Sequence, residues 1–134
     1  GKAQKLRHGS DLTFIATGHM VWEALQAARL LENEGIHAAV LNVHTIKPLD
    51  EEAIIEAARS TGLIVTAEEH QVYGGLGSAV AEVLTQHFPV PMAFVGMPDR
   101  FGESGTPEQL LKKYGLHAQN IAAVAMDKLQ KIKS

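Results

Sequence analysis

Short apolar segments alternate along the chain with longer segments in which apolar residues recur every three or four positions. Predominantly apolar runs of strand length are found at residues 12–17, 37–43, 63–67 and 92–96. Helical spacing of apolar residues is found from Val21 to Leu31, from Ile54 to Ala58, from Leu76 to His87 and from Ile121 to Ile132. Strands that are apolar on both faces, alternating with amphipathic helices, predict an α/β fold: a three-layer α/β/α sandwich with a mainly parallel sheet.

Capping residues mark where several of these helices begin and end. Asp50 can cap the second helix, whose first turn carries acidic residues that the helix dipole favours. Gly62 is expected to end that helix, and Gly35 to end the first helix in a left-handed conformation. Thr106, followed by a proline and by Gln109 in the capping-box position, predicts a further helix start.

The segment 68–80, EEHQVYGGLGSAV, concentrates the unusual residues of the chain. It places two carboxylates and an imidazole directly after the third predicted strand, followed by a loop with three glycines and a helix. Because the carboxyl ends of parallel strands meet at one edge of a sheet, we expect this segment to face a ligand or another subunit.

The carboxylates and His70 are the first candidates for chemistry in this segment. Glu68 and Glu69 are adjacent, so on a strand they point to opposite faces and are not expected to act together on one substrate. One of them should accept hydrogen bonds from loop amides or from a partner chain. His70 is a candidate for proton transfer, but a structural role is commoner for a lone loop histidine, so no catalytic residue is assigned.

The glycine-rich loop before the third helix also raises the question of phosphate binding. Val80, however, stands where the third glycine of a dinucleotide-binding fingerprint belongs, and the motif follows the third strand instead of the first. Glu68 and Glu69 would also repel a phosphate placed beside them. The alternative is that these glycines allow positive φ angles and close backbone contacts.

Composition narrows the function classes further. The 134 residues are expected to form a single domain, 1–134, and the net charge of −3 favours neither nucleic acid nor a membrane as a partner. The absence of cysteine excludes disulfides and thiolate ligands and favours an intracellular, cytoplasmic protein. The seven histidines show no metal-ligand spacing, so no metal is expected in this domain. A first residue other than Met suggests a piece of a longer polypeptide.

Four segments together resemble one enzyme family. They are DLTFIATGHMVWEALQAARLLENEGI (11–36), HTIKPLD (44–50), EEHQVYGGLGSAVAEVL (68–84) and PDRFGESGTPEQLLKKYGL (98–116). In this order they resemble the C-terminal domain shared by transketolases, 1-deoxyxylulose-5-phosphate synthases and the β subunits of 2-oxoacid dehydrogenase E1 enzymes. The resemblance covers nearly the whole chain, and its last segment leans towards transketolases, including those split over two polypeptides.

The resemblance implies a Rossmann-like sandwich around a mixed, mainly parallel sheet of five strands. It also implies a homodimeric parent enzyme that binds thiamine diphosphate and Mg²⁺ between a pyrophosphate-binding and a pyrimidine-binding domain. The Gly-Asp-Gly signature of the first and the acidic residue and aromatic pocket of the second are absent, so this domain is expected to bind no cofactor alone. The parent would transfer ketol units between sugar phosphates, and the isolated domain would be inactive.

Carried over residue by residue, the resemblance assigns contact roles and no catalytic ones. The residues that match the family's domain-contact loop are Glu68, Glu69, His70, Gly74, Gly75 and Gly77, and those that match a second loop are Asp99, Arg100, Phe101 and Gly102. His117 departs from the hydroxyl or acidic helix cap that is common in relatives. Two alternatives stay open: the same domain of a 2-oxoacid dehydrogenase β subunit, and a free-standing binding or regulatory module.

Overall fold

The computed structural model describes residues 2–44, 46–71, 75–97, 109 and 117–134. The strands and helices of these residues are, in chain order, β1 (Gln4–Arg7), β2 (Leu12–Ala16), α1 (Met20–Glu32), β3 (Ala38–Asn42), α2 (Glu51–Thr61), β4 (Ile64–Gln71), α3 (Leu76–His87), β5 (Met92–Met97) and α4 (Ala118–Lys133). Of the helix start predicted at 106–109, only Gln109 lies within the described residues, and it is helical. Across the described ranges, no helix is both long enough and apolar enough to span a bilayer.

The five strands form one sheet in the order β1-β3-β2-β4-β5. Strands β2, β3, β4 and β5 run parallel to one another, and the edge strand β1 runs antiparallel to β3. Helices cover both faces of this sheet, so the expected three-layer α/β fold with a mixed, mainly parallel sheet is confirmed. The four strands predicted from the apolar runs are all present.

The apolar pattern does not predict strand β1. Its sequence is QKLR, and three of its four residues are exposed because it lies at the edge of the sheet. An ion pair of 2.9 Å between Arg7 Nη2 and Glu32 Oε1 links this edge strand to the end of α1. An edge strand with so little apolar surface carries no periodicity that distinguishes it from a loop.

Two apolar cores hold the layers together, one on each face of the sheet. The face covered by α1 and α4 buries Leu12, Phe14, Met20, Leu31, Val65 and Ile121. The face covered by α2 and α3 buries Ile15, Leu41, Ile54, Ile64, Leu76 and Leu84. Phe14 and Ile15 are adjacent on β2 and point into opposite cores, which explains why this central strand is apolar on both faces apart from Thr13.

The predicted helix ends are confirmed for α2 and need correction for α1. Asp50 accepts a hydrogen bond from the backbone N–H of Ala53 at 3.2 Å, and Gly62 ends α2 in the left-handed region with φ of 76°. Helix α1 ends at Glu32, and its C-cap Asn33 is right-handed. Gly35 does have a positive φ of 78°, but two residues later, because the chain adds a further turn before it enters β3.

Asp50 also accepts a hydrogen bond of 2.8 Å from the backbone N–H of Ala3, which ties the start of the chain to α2. This bond, with a smaller contribution from Ala53, lowers the pKa of the Asp50 carboxyl below its ordinary value of 3.8, against an opposing effect of burial. A carboxyl whose pKa is lower in the folded state stabilises the fold above its unfolded pKa. That contribution is lost as the pH falls through the folded value.

Replacing Asp50 by asparagine should therefore flatten the acid dependence of stability. We expect the free energy of unfolding, measured by urea denaturation, to fall more steeply below about pH 4 in the wild type than in Asp50→Asn. At pH 7 the variant should be less stable by about 1 kcal/mol, because asparagine has one side-chain acceptor and so loses one of the two amide hydrogen bonds that Asp50 accepts. Asp127→Asn is the matched control, since Asp127 is exposed on α4; an equal flattening in that variant would contradict the assignment to Asp50.

Candidate functional site

Strand β4 extends further towards its carboxyl end than the sequence predicts. The predicted strand stops at residue 67, whereas β4 continues to Gln71 and includes Glu68, Glu69 and His70. Between the pairs Ala67–Val95 and Gln71–Met97, β4 advances four residues while β5 advances two, so the ladder is irregular across this segment. The three candidate residues therefore lie in a bulged part of the strand and not in the loop that follows it.

Glu68 holds the first turn of α3 with its carboxylate. The side chain is buried, with 2% of the residue exposed, and its two oxygens accept hydrogen bonds from two successive backbone amides. Oε1 accepts from the N–H of Leu76 at 2.8 Å, and Oε2 accepts from the N–H of Gly77 at 2.7 Å. The N-cap residue Gly75 has no side chain for this task, so a carboxylate from the neighbouring strand satisfies the amides that a helix leaves unpaired.

This arrangement confirms that one of the two carboxylates accepts hydrogen bonds from amides, and it identifies that carboxylate as Glu68. It also argues against a phosphate cradle. An anion at the start of α3 would have to displace the buried Glu68 carboxylate from the two amides that it already occupies. The amides at the start of α3 thus bind an anion, and this anion is the side-chain carboxylate of Glu68.

Gly77 is required by close packing between α3 and the sheet. A Cβ atom at this position would lie 2.6 Å from Cδ1 of Phe94 and 3.0 Å from Oγ1 of Thr66. Gly75 has a negative φ of −104°, so positive φ angles, which were one expected reason for these glycines, do not explain Gly75. The Phe94 ring comes from edge strand β5 and covers Gly77, while 42% of the residue remains exposed.

The hydroxyl of Thr66 is buried beneath this contact. Thr66 is fully buried, and its Oγ1 has no hydrogen-bond partner. Thr66 points to the same face of β4 as Glu68, which follows it by two residues along the strand. Gly77 packs over this hydroxyl, since a Cβ atom on Gly77 would lie 3.0 Å from the Thr66 Oγ1.

A second polar cluster lies at the same edge of the sheet, beside β3. His44 Nε2 is 3.2 Å from Oε1 of Gln4 and 3.4 Å from Nδ2 of Asn42. Sequence reasoning missed this cluster because Gln4 belongs to β1, the strand that the apolar pattern does not predict. No local signal pairs residue 4 with residues 42 and 44, since the contact depends on the antiparallel register of β1 against β3.

The remaining predicted site residues are distributed as follows. Glu69 is half-buried on β4, next to Glu68. The side chain of His70, together with Gly74, Asp99, Arg100, Phe101 and Gly102, lies outside the described residues. The contact roles assigned to these residues, and to Glu68, Glu69, Gly75 and Gly77, stay predictions.

Two features of the described residues concern the binding of a metal ion and of a diphosphate. Within the ranges that the structure covers, no three His, Asp or Glu side chains are grouped so that they could hold a metal ion. The start of α3, where a diphosphate could bind amides, is occupied by Glu68. The amides at the start of α3 are therefore not available to a diphosphate while Glu68 binds them.

Comparison with known proteins places the chain in a family. Residues 1–121 match the family described as transketolase, C-terminal domain. A solved structure of a split gene transketolase, described as an inactive beta4 tetramer, superposes with a TM-score of 0.92 at 50% identity, covering 96% of this chain and 42% of that one.

Three curated relatives agree with this match. The 6-deoxy-6-sulfo-D-fructose transketolase subunit of Clostridium sp. (strain MSTE9) is 54% identical over 93% of this chain and 39% of its own length. A subunit of the apulose-4-phosphate transketolase of Phocaeicola vulgatus is 44% identical over 98% of this chain and 42% of its own. The 1-deoxy-D-xylulose-5-phosphate synthase of Heliobacterium modesticaldum is 48% identical over 95% of this chain and 20% of its own.

The chain thus spans about two fifths of the split transketolase subunits and one fifth of the synthase. The agreement extends over nearly all of its residues and over its three-dimensional fold. The chain belongs to the transketolase C-terminal domain family.

Proposed function

We propose that the chain is the C-terminal domain of a thiamine-diphosphate-dependent transketolase, in a form divided over two polypeptides. The observation that carries this proposal is the similarity to the split gene transketolase structure over 96% of the chain. Two of the curated relatives are also named as transketolase subunits. The parent enzyme transfers a two-carbon ketol unit between sugar phosphates.

Within that enzyme the domain has a supporting role. The cofactor carries the carbanion chemistry of such enzymes. Among the described residues of this chain, no three side chains are grouped to hold a metal ion, and Glu68 occupies the amides at the start of α3. The carboxyl edge of the sheet, with the Glu68-capped start of α3, contacts the cofactor-binding domains. Glu69, His70 and the residues at 99–101 take part in that contact, and His70 is a candidate for contact with substrate.

The partners of the domain are the pyrophosphate- and pyrimidine-binding domains of the same enzyme, in a cytoplasmic assembly built on a homodimer. The solved relative is described as a beta4 tetramer that is inactive. An assembly of one subunit type without activity supports the need for a second kind of subunit in the parent of the present chain as well. Nucleic acid and membranes are not among the proposed partners.

Reconstitution of the enzyme tests this function. We expect no ketol transfer from xylulose 5-phosphate to ribose 5-phosphate by the 134-residue chain with thiamine diphosphate and Mg²⁺. Transfer should be measurable when the chain is present within its full subunit together with the complementary subunit. The full subunit alone is the matched control and should be inactive.

Three outcomes would contradict the proposal in different ways. Turnover by the 134-residue chain alone would show that it carries its own catalytic site. Oxidative decarboxylation of a 2-oxoacid by the complete assembly would assign the chain to the dehydrogenase branch. An active assembly that needs no part of this chain would favour a binding or regulatory module.

A further inference from the structure

One stripe of helix α2 carries only small side chains. Ala53, Ala57 and Ser60 recur at positions i, i+4 and i+7, so they lie along the same side of the helix. They face the end of the sheet formed by β1 and β3, where Ala39 lies across from them. Side chains of this size do not fill the space between a helix and a sheet, and the packing leaves a cavity there.

The cavity between α2 and the strands β1 and β3 has a volume of about 220 Å³. Its inner surface is apolar and buried, since Ala39 and Leu41 are each 4% exposed and Ala57 is 6% exposed. Voids larger than a water molecule are few in a folded domain, and an apolar cavity of about 150 Å³ is large enough to bind benzene. This cavity therefore has room for an apolar chain or ring of about six carbon atoms.

The hydroxyl groups beside the cavity are already hydrogen-bonded within the protein. Thr61 Oγ1 is 2.9 Å from the carbonyl oxygen of Ala57, to which it donates, and 2.9 Å from Oγ1 of Thr13. Since Thr61 has given its proton to that carbonyl, Thr13 is the donor between the two hydroxyls. An apolar group that enters the cavity thus leaves neither hydroxyl without a partner, and the usual cost of covering polar groups is avoided.

The rim of the cavity is polar, and its interactions leave one charge without a partner. Glu56 accepts hydrogen bonds of 3.1 Å from the Ser60 hydroxyl and from Nη1 of Arg59, and the arginine also compensates its charge. Lys5, exposed on β1, forms no ion pair with any residue in the described ranges. The ammonium group of Lys5 therefore sets the sign of the charge that a ligand can bring to the rim.

We propose that this cavity binds a small apolar carboxylate, with its hydrocarbon part between α2 and β3 and its carboxylate on Lys5. The inner surface favours hydrocarbon because Ala39, Leu41 and Ala57 offer it no charged partner, while the rim offers a cation. This site goes beyond the proposed function, which places no ligand between α2 and the sheet. Its test involves no catalysis.

The two sides of the cavity are tied together before any ligand binds. Asp50 accepts hydrogen bonds from the backbone N–H groups of Ala3 at 2.8 Å and of Ala53 at 3.2 Å. Both alanines line the cavity, one next to the edge strand and one on the helix. Because the site is preformed, little conformational entropy is lost on binding. A ligand that contacts both sides should also raise the resistance of the fold to urea.

Hexanoate is the probe that matches the size and charge of the cavity. We expect a dissociation constant of about 1 mM, as befits a ligand with few atoms. From butanoate to hexanoate, each added methylene should tighten binding about fourfold because it is buried against apolar side chains. Octanoate should gain less per methylene, since its chain is longer than the cavity can enclose.

A titration followed by nuclear magnetic resonance tests the site. Hexanoate is added to the isotope-labelled 134-residue chain at pH 7, and saturable amide shifts are expected at Lys5, Ala39, Ala53 and Ala57. Hexanol and hexylammonium should bind at least about threefold more weakly than hexanoate, a factor that fits an exposed ion pair. Lys5→Gln should weaken hexanoate binding by about the same factor and leave hexanol binding unchanged.

Two further variants complete the test. Lys133→Gln is the matched control, because Lys133 is exposed on α4, which covers the opposite face of the sheet, and it should bind hexanoate like the wild type. Ala53→Leu places a larger side chain in the cavity and should weaken hexanoate binding at least about tenfold, while urea denaturation shows that the variant is folded.

Three results would overturn the proposal. The first is the absence of saturable shifts at the lining residues up to about 20 mM hexanoate. The second is binding of hexylammonium as tight as that of hexanoate, since the charge of Lys5 would then have no role. The third is unchanged hexanoate binding in a folded Ala53→Leu variant, which would place the ligand elsewhere.

Discussion

Replacing Glu68 by alanine is expected to lower the free energy of unfolding by about 3 kcal/mol, because two buried amides lose a charged acceptor. The N–H groups of Leu76 and Gly77 both bind this carboxylate, at 2.8 and 2.7 Å. Leu76 is fully buried, so water cannot readily replace the missing acceptor at its amide. Urea denaturation at pH 7, read by circular dichroism, measures the loss.

Two further variants distinguish the capping role from other effects. Glu68→Gln keeps the shape but removes the charge and one acceptor, so we expect it to lose about half as much stability as the alanine variant. Glu69→Ala is the matched control, since Glu69 is the adjacent, half-buried residue of β4, and it should change the free energy of unfolding by no more than about 0.5 kcal/mol. Equal losses in Glu68→Ala and Glu69→Ala would contradict the capping role.

Most of the fold could be predicted because the central strands are apolar on both faces. Every residue of β2 is buried between two helical layers, so the run from 12 to 16 is apolar except for Thr13, whose hydroxyl is paired with that of Thr61. The same reasoning located β3, β4 and β5. It failed for β1, since an edge strand with three exposed residues gains its structure from the register against β3 and not from its own composition.

The candidate site could be located from the sequence but not resolved into roles. The pair Glu68 and Glu69 indicated that one carboxylate accepts hydrogen bonds, because adjacent strand residues face opposite ways. Which of the two faces α3 depends on how β4 is registered in the sheet, and that information comes from strands far away in sequence. The end of helix α1 was also predicted only in part. Gly35 correctly indicated a left-handed residue after the helix, but it did not show that the C-cap is Asn33, two residues earlier.

The role of Gly77 shows a different kind of limit. The sequence presents it as one of three loop glycines, which either positive φ angles or close contacts could explain, and it does not show which reason applies to which glycine. Its actual constraint is a contact with Phe94, 17 residues further along the chain, on a strand that packs against α3. A steric requirement between two distant segments leaves no local pattern, so only the three-dimensional structure shows it.

Gly9, which the sequence does not distinguish, should be among the least replaceable residues of the fold. A Cβ atom at this position would overlap with the carbonyl carbon of Ala38 and lie 2.5 Å from the backbone nitrogen of Ala39. We expect Gly9→Ala to lower the free energy of unfolding by about 3 kcal/mol, at the upper end of overpacking effects, because backbone atoms of a central strand cannot rotate away.

Gly77→Ala is the comparison that separates steric conflict with backbone from steric conflict with a side chain. Its new methyl group would meet the ring of Phe94, which is partly exposed and can turn outwards, so we expect a loss of only about 1 kcal/mol. Both variants are measured by urea denaturation under the same conditions. A loss for Gly9→Ala no larger than that for Gly77→Ala would mean that the segment before β2 can move away from β3. In that case the close approach of Gly9 to the start of β3 would not be what holds β1 at the sheet edge. Strand β1 would instead be held by its own pairing with β3 and by the hydrogen bond from the Ala3 N–H to Asp50.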